Sequence, residues 1–178
     1  MSATFDSISP APVKTGSVAG RRKLHFDDLD AVAVDAESVT ARPGKTLGNW
    51  SSAQILDHLA NSIAACFNGP QVQAPLFVRW IVGPLVRRRM LSRGMPAGFT
   101  LPRQMSHFMP GDDVQVATSL GKLRTWTERL KVECPPLQHP AFGQLSHVDW
   151  IRLHLRHAEL HLSFIVPDDA SAIVSQPS

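Results

Sequence analysis

The sequence predicts an all-α protein, an antiparallel four-helix bundle with one additional helix and a long irregular connection. Three observations carry that expectation. Apolar residues recur at helical spacing in several separate windows, strand-like alternation is hard to find, and the strong helix breakers gather in a few places. A length of 178 residues with 43% hydrophobic content suits one domain that buries a core.

The first helix is expected from about Asp27 to Ala41, where Leu29, Val32, Val34 and Val39 give a loose apolar face. The second follows a cap at Ser51 or Asn49 and carries Ile55, Leu56, Leu59, Ala60, Ile63 and Cys66 before stopping near Asn68, Gly69 and Pro70. A third is expected from Pro75 to Ser92, with a kink at Gly83 and Pro84. The stretch from Leu91 to Pro110 holds Gly94, Pro96, Gly98 and Pro102 and is longer than an ordinary loop, which points to a pocket wall or a subunit contact. A fourth helix is expected from Asp113 to Lys131, with Val114, Ala117, Leu120, Leu123, Thr127 and Leu130 in register, ended by Cys134, Pro135 and Pro136. Ser146, with Asp149 three residues on, caps a last helix that runs through Trp150 to Ile165. Residues 1–20, rich in Ser, Pro, Ala and Thr, read as a disordered leader, 21–166 as the helical domain, and 167–178 as a flexible tail.

Several function classes fall away on composition. A net charge of +3 with no nucleic-acid reading motif argues against a nucleic-acid partner. Arg21 and Arg22 are followed by no apolar run, so export is not expected. The most apolar window, Pro75 to Val86, contains Arg79 and is too short to span a bilayer; it could lie on a membrane surface as an amphipathic segment ending in Arg87 to Arg89, but packing against the bundle or a second subunit, with no membrane partner, is the expectation. Within that window Leu76, Phe77, Trp80, Ile81 and Leu85 exceed what one helix face needs, which predicts a homodimer. Cys66 and Cys134 form neither a zinc nor a redox motif, and two unpaired cysteines suit a reducing cytoplasm. Arg79, Arg87, Arg88, Arg89, Arg93 and Arg103 lie close in sequence, either as a solvated helix end or as an anion-binding rim.

The chemistry gathers on histidine. His154, His157 and His161 fall within about 60° of one another around a helix. His157 and His161 are one turn apart, with about 6 Å of rise, and can converge on one ion. His154 and His161 are too far apart along the axis to do so, so His157 belongs to any pair and its partner is His161 or His154. A third candidate is His58, in the middle of the second helix. Two helices from distant parts of a chain, each with an inward histidine, are what a metal site in a helical bundle requires. Cys66 is two turns and roughly 80° away from His58, a poor co-ligand.

Arg21 to Phe26 with Asp27 and Leu29, Gly48 to Ser51 with Gln54, His58-Leu59-Ala60, His139 to Ser146 with Trp150, and His157 with His161-Leu162 together resemble the DinB-like superfamily, nearest to its uncharacterised branch, a domain of unknown function. The resemblance runs from about Arg21 to Ile165, and the paired histidine elements carry most of its specificity. It implies that His58, His157 and His161 bind one divalent metal, with His154 outside the set. Branch members often carry a further histidine immediately before the second of the pair, where this chain has Leu160.

Three neutral imidazoles leave the charge of a dication uncompensated and leave a coordination position open to water or a ligand, where a thiol or water loses its proton more easily. Zinc and nickel both accept such a set. Gln54 and His154 are placed to hydrogen-bond near the site, whereas Asp57 and Glu159 point elsewhere on their helices. The resemblance implies a metal-dependent enzyme acting on a small-molecule substrate, a transferase that uses a low-molecular-weight thiol, with Arg87 or Arg103 holding carboxylates. The alternatives are a metal-dependent hydrolase, a non-catalytic metal-binding or stress-response module, and an interaction domain that has lost its metal.

Overall fold

The computed structural model describes residues 12–70, 83–98 and 108–168, and these are mostly helical. Helix α1 spans Leu29–Thr40, α2 Ser52–Asn68, α3 Gly83–Arg93, α4 Val116–Val132 and α5 His147–Leu162. A short 3-10 turn, Thr15–Ser17, precedes them. Two strands, β1 Gly44–Thr46 and β2 Ile165–Pro167, pair antiparallel with Lys45 opposite Val166.

The helix ends follow from side chains that satisfy the free backbone N–H groups of a first turn. Asp28 accepts from the Ala31 N–H at 2.7 Å. Ser51, rather than Asn49, caps α2 in a full capping box with Gln54, and Asn49 instead bonds the backbone of Val13. Ser146 accepts from the Asp149 N–H at the start of α5. Helix α4 begins at Val116, three residues later than the apolar spacing suggests, and its Gln115 cap makes no side-chain bond.

Helix α2 packs on α4 and α5, α1 packs on the same two helices, and α3 lies on α5. Leu56, Ala60, Leu130 and Leu162 are wholly enclosed, with Val32, Leu123 and Trp150 beside them. Of the expected first-helix face, Leu29, Val32 and Val39 are buried, whereas Val34 is 65% exposed and points to solvent.

The last helix stops at Leu162, short of the expected Ile165, because the chain turns at Ser163 and Phe164 and enters β2. That strand and β1 are a small addition to a mostly helical fold, which agrees with the all-α expectation. Arg22 holds the turn in place. Its guanidinium grips Asp35 of α1 through two bonds of 2.7 and 2.8 Å, and also donates to the carbonyls of Leu162 and Ile165. On β1, a Cβ at Gly44 would lie 2.7 Å from the Val166 carbonyl and 3.0 Å from Pro167 Cα. Gly44→Ala should therefore cost about 1–3 kcal/mol, the usual penalty of forcing an atom into packed backbone. An unchanged urea midpoint would show that the strand pair separates freely.

The expected third helix is described only from Gly83, so Gly83 and Pro84 open its described part, while the Pro75–Ile81 portion before them and most of the apolar run behind the dimer expectation lie outside the described residues; Leu85 of that run is 74% exposed. Residues 99–107 of the long connection also lie outside them. No described helix is long and apolar enough to cross a membrane.

Candidate metal centre

Helices α2 and α5 bring His58, His157 and His161 together. The first is buried at 3% exposure, and the other two are half-buried. One ring nitrogen from each lies within 4.8 Å of the others, and the ring centroids are 4.5 to 5.0 Å apart. His154, on the same stripe of α5, is not among the three. The spacing explains the sorting: His157 and His161 are one turn apart and face His58, while His154 sits a turn nearer the start of α5.

The hydrogen bonding of His58 defines which atom faces the cluster. Its Nδ1 lies 2.6 Å from the Phe108 carbonyl oxygen. A carbonyl can only accept, so Nδ1 carries the proton, and in the neutral ring Nε2 is left with a bare lone pair. That lone pair points at Nε2 of His157, 3.2 Å away. Either an Nε2–H of His157 donates to that lone pair or a cation sits between the two nitrogens. For tetrahedral zinc with Zn–N bonds near ~2.0–2.1 Å, two ligating nitrogens stand about 3.3 Å apart, close to the separation seen. The residues fit a divalent ion.

A family profile described as "Protein of unknown function (DUF1569)" matches residues 18–168. The chain belongs to that family. The matched span of this DUF1569 protein contains all three histidines and the Phe108 carbonyl. Neither the curated proteins nor the solved structures compared with it gave a match.

In the DUF1569 chain the segment bearing Phe108 is fastened to one face of α2. Asp57 accepts from the Gly111 N–H at 3.1 Å, Asn61 donates to the Met109 carbonyl at 3.2 Å, and Gln54 donates to the Gly111 carbonyl at 3.4 Å. Lys122 of α4 bonds Asp57 at 2.7 Å and also reaches the Asn61 side chain. Burial alone would raise the Asp57 carboxyl, but Lys122, the Gly111 N–H and Asn61 outweigh it and hold it below the ordinary carboxylate range. Asp57 indeed does not face the metal cluster, yet it anchors the loop that orients His58. Trp50 covers the other side, its ring 4.7 Å from that of His58 and stacked on His161 at 5.6 Å. Trp50 belongs to the quoted sequence elements, but a lone tryptophan before a cap gives no sign of what it will cover.

Other expected neighbours have different work. Gln54 is spent on the α2 cap and on Gly111, with no bond to His58. His154 stacks on Trp150 and sits 3.5 Å from the Cys66 sulfur, and burial pushes that thiol up to about 12. Cys66 is thus a neutral thiol paired with His154. Arg87 forms an ion pair with Asp149, and Arg103 lies outside the described residues. Glu159 accepts from Arg156 and from the Phe26 N–H, as its position on the far side of the stripe implies.

Burial, then the nearby charges of His58 and Arg21, push His161 down to about 3. His157 is lowered well below the ordinary value, mainly by burial, and His58 is lowered by burial against the opposing pull of the Phe108 carbonyl and Asp57. The rings are neutral at ordinary pH, the state a metal ligand requires. His139 and His154 behave alike away from the cluster. Burial brings His139 to about 4, where its Nδ1 accepts from the N–H groups of Ala141 and Phe142, and burial with the charge of His139 brings His154 to about 3. In the unfolded chain both titrate near 6.5, so between about pH 4 and 6.5 the unfolded state binds more protons and stability rises with pH. At pH 5.5 each should cost about 1.2 kcal/mol relative to neutral pH. Urea unfolding of metal-free protein from pH 7.5 to 5 tests this, and a flat profile would contradict it.

Proposed function

We propose that this DUF1569 protein is a metal-dependent enzyme in which His58, His157 and His161 hold one divalent ion, zinc or nickel, and that it transfers or isomerises a small substrate with the help of a low-molecular-weight thiol. The observation that supports it most directly is the aim of the bare His58 Nε2 at His157, with a nitrogen of His161 completing the group. The resemblance to DinB-like proteins supports the same ligand set, and α1, α2, α4 and α5 would form the antiparallel four-helix bundle of that superfamily. A dication on three neutral imidazoles supplies Lewis acidity and an open position at which a thiol is favoured as its thiolate. The protein's own part is to fix that position. Phe108 holds the His58 ring in one tautomer, Trp50 shields one side from water, and the partial exposure of His157 and His161 leaves a way in. Free Cys66 and Cys134 fit a cytoplasmic setting.

Metal analysis of untagged protein should find one divalent ion per chain. In cobalt-substituted protein a small thiol should add a sulfur-to-metal charge-transfer band in the near ultraviolet, absent in His58→Ala. Stoichiometric metal without that band, for any of a panel of cellular thiols, would favour hydrolysis or a non-catalytic module instead.

A further inference from the structure

The residue that singles itself out beside the cluster is Arg21. Its neighbour Arg22 is fully engaged with Asp35 and two carbonyls, and Arg87, Arg124, Arg129 and Arg156 each hold a carboxylate. Arg21 is half-buried, and among the described residues its guanidinium meets no carboxylate. It is nevertheless held firmly. Its Nε donates to the Ser163 hydroxyl at 3.0 Å, that hydroxyl in turn donates to the Leu160 carbonyl at 2.6 Å, and the guanidinium lies 4.4 Å over the buried Phe164 ring.

This arrangement uses one edge and one face of the guanidinium, and among the described residues the two terminal nitrogens have no hydrogen-bond partner. Ser163 caps α5 two residues beyond His161, so the cation sits at the end of the helix that carries two of the three histidines. A partly desolvated arginine with no counter-ion among the described residues is costly to keep, and a planar fork of N–H donors matches a carboxylate bidentately. Adding a dication on neutral imidazoles makes the neighbourhood more positive still, with no described acid turned toward it.

We propose that Arg21 is the anion-recognising arm of the three-histidine site, and that the ligand of the site carries a carboxylate that Arg21 holds while its thiol takes the open position. This rests on the metal reading above and adds the substrate class. It also moves the carboxylate clamp from Arg87, which is already paired with Asp149, to the opposite end of α5.

The test uses the full chain loaded with cobalt and a ladder of thiols: mercaptoethanol, mercaptoacetate, 3-mercaptopropionate and 4-mercaptobutyrate. Affinity is read from the charge-transfer and visible bands. At least one carboxylate thiol should bind about tenfold more tightly than mercaptoethanol, the usual effect of one charge-assisted bidentate contact. Arg21→Met should remove that preference while leaving cobalt content and mercaptoethanol affinity unchanged, and Arg21→Lys should keep part of it. If Arg21→Met does not fold, Arg21→Gln reads the same loss of charge. With cobalt bound stoichiometrically, equal affinities across the ladder, no spectral change with any thiol, or a preference that survives Arg21→Met each overturn the inference. A chain that takes up no cobalt overturns the metal reading and this one with it.

Discussion

His157→Ala should lower zinc or nickel affinity by at least about a hundredfold, since even residues that only brace a ligand commonly contribute ten- to a hundredfold. His157 closes a triangle with the other two, its Nε2 3.2 Å from that of His58 and its ring 4.6 Å from that of His161. His58→Ala and His161→Ala should show losses of the same order. His154→Ala should keep its metal, because that ring is directed to Cys66 and Trp150. Competition with a chromophoric chelator measures all four variants. Equal loss for His154→Ala would place the ion toward the start of α5 and exclude His161.

Asp57→Ala should have the second large effect, and it should fall on stability and metal affinity together. Asp57 is 6% exposed, and its carboxylate joins Lys122, Asn61 and the Gly111 N–H in one cluster. Removing one partner of a buried pair costs about 3–5 kcal/mol when the other charge is left stranded. Lys122 is 39% exposed at its side chain and can rehydrate, so about 2–3 kcal/mol is expected here. The loop from Phe108 to Gly111 also loses its tie to α2, and with it the carbonyl that fixes the His58 tautomer. Metal affinity should fall about tenfold, a loss that a merely stabilising residue would not produce. Nitrogen-15 NMR of the His58 ring supplies a direct reading. A variant that is less stable yet keeps full affinity and an unchanged tautomer would limit Asp57 to packing.

The helical character of the chain could be read because its signals are local. Ser51 with Gln54 and Ser146 with Asp149 carry their capping chemistry within four residues, and both helices start where that chemistry places them. The juxtaposition of His58 with His157 and His161 follows from helical spacing and the family resemblance together. What escaped is non-local or made of backbone. Ile165, Val166 and Pro167 continue the apolar run of α5, and only their pairing with Gly44, Lys45 and Thr46 makes them a strand. The contact at His58 Nδ1 comes from a carbonyl, which any residue would supply, so Phe108 leaves no mark in the composition. Gln54 and Asp57 illustrate the opposite difficulty. Their positions on α2 are legible, but the loop that claims them lies more than fifty residues away.

The contact between His58 and His157 joins positions 99 residues apart in the chain. An ion seated there is a cross-link around most of the domain, and closing a loop of that size removes about 4–5 kcal/mol of freedom from a disordered chain when the link is permanent. A reversible link behaves differently. It forms only after α2 and α5 have docked, so the folded population alone competes for the ion, and stability grows with the logarithm of free metal, by about 4 kcal/mol at a thousandfold excess over Kd. With such an ion bound, unfolding and metal release would be one event, and chelator strength would shift the melting temperature alongside denaturant.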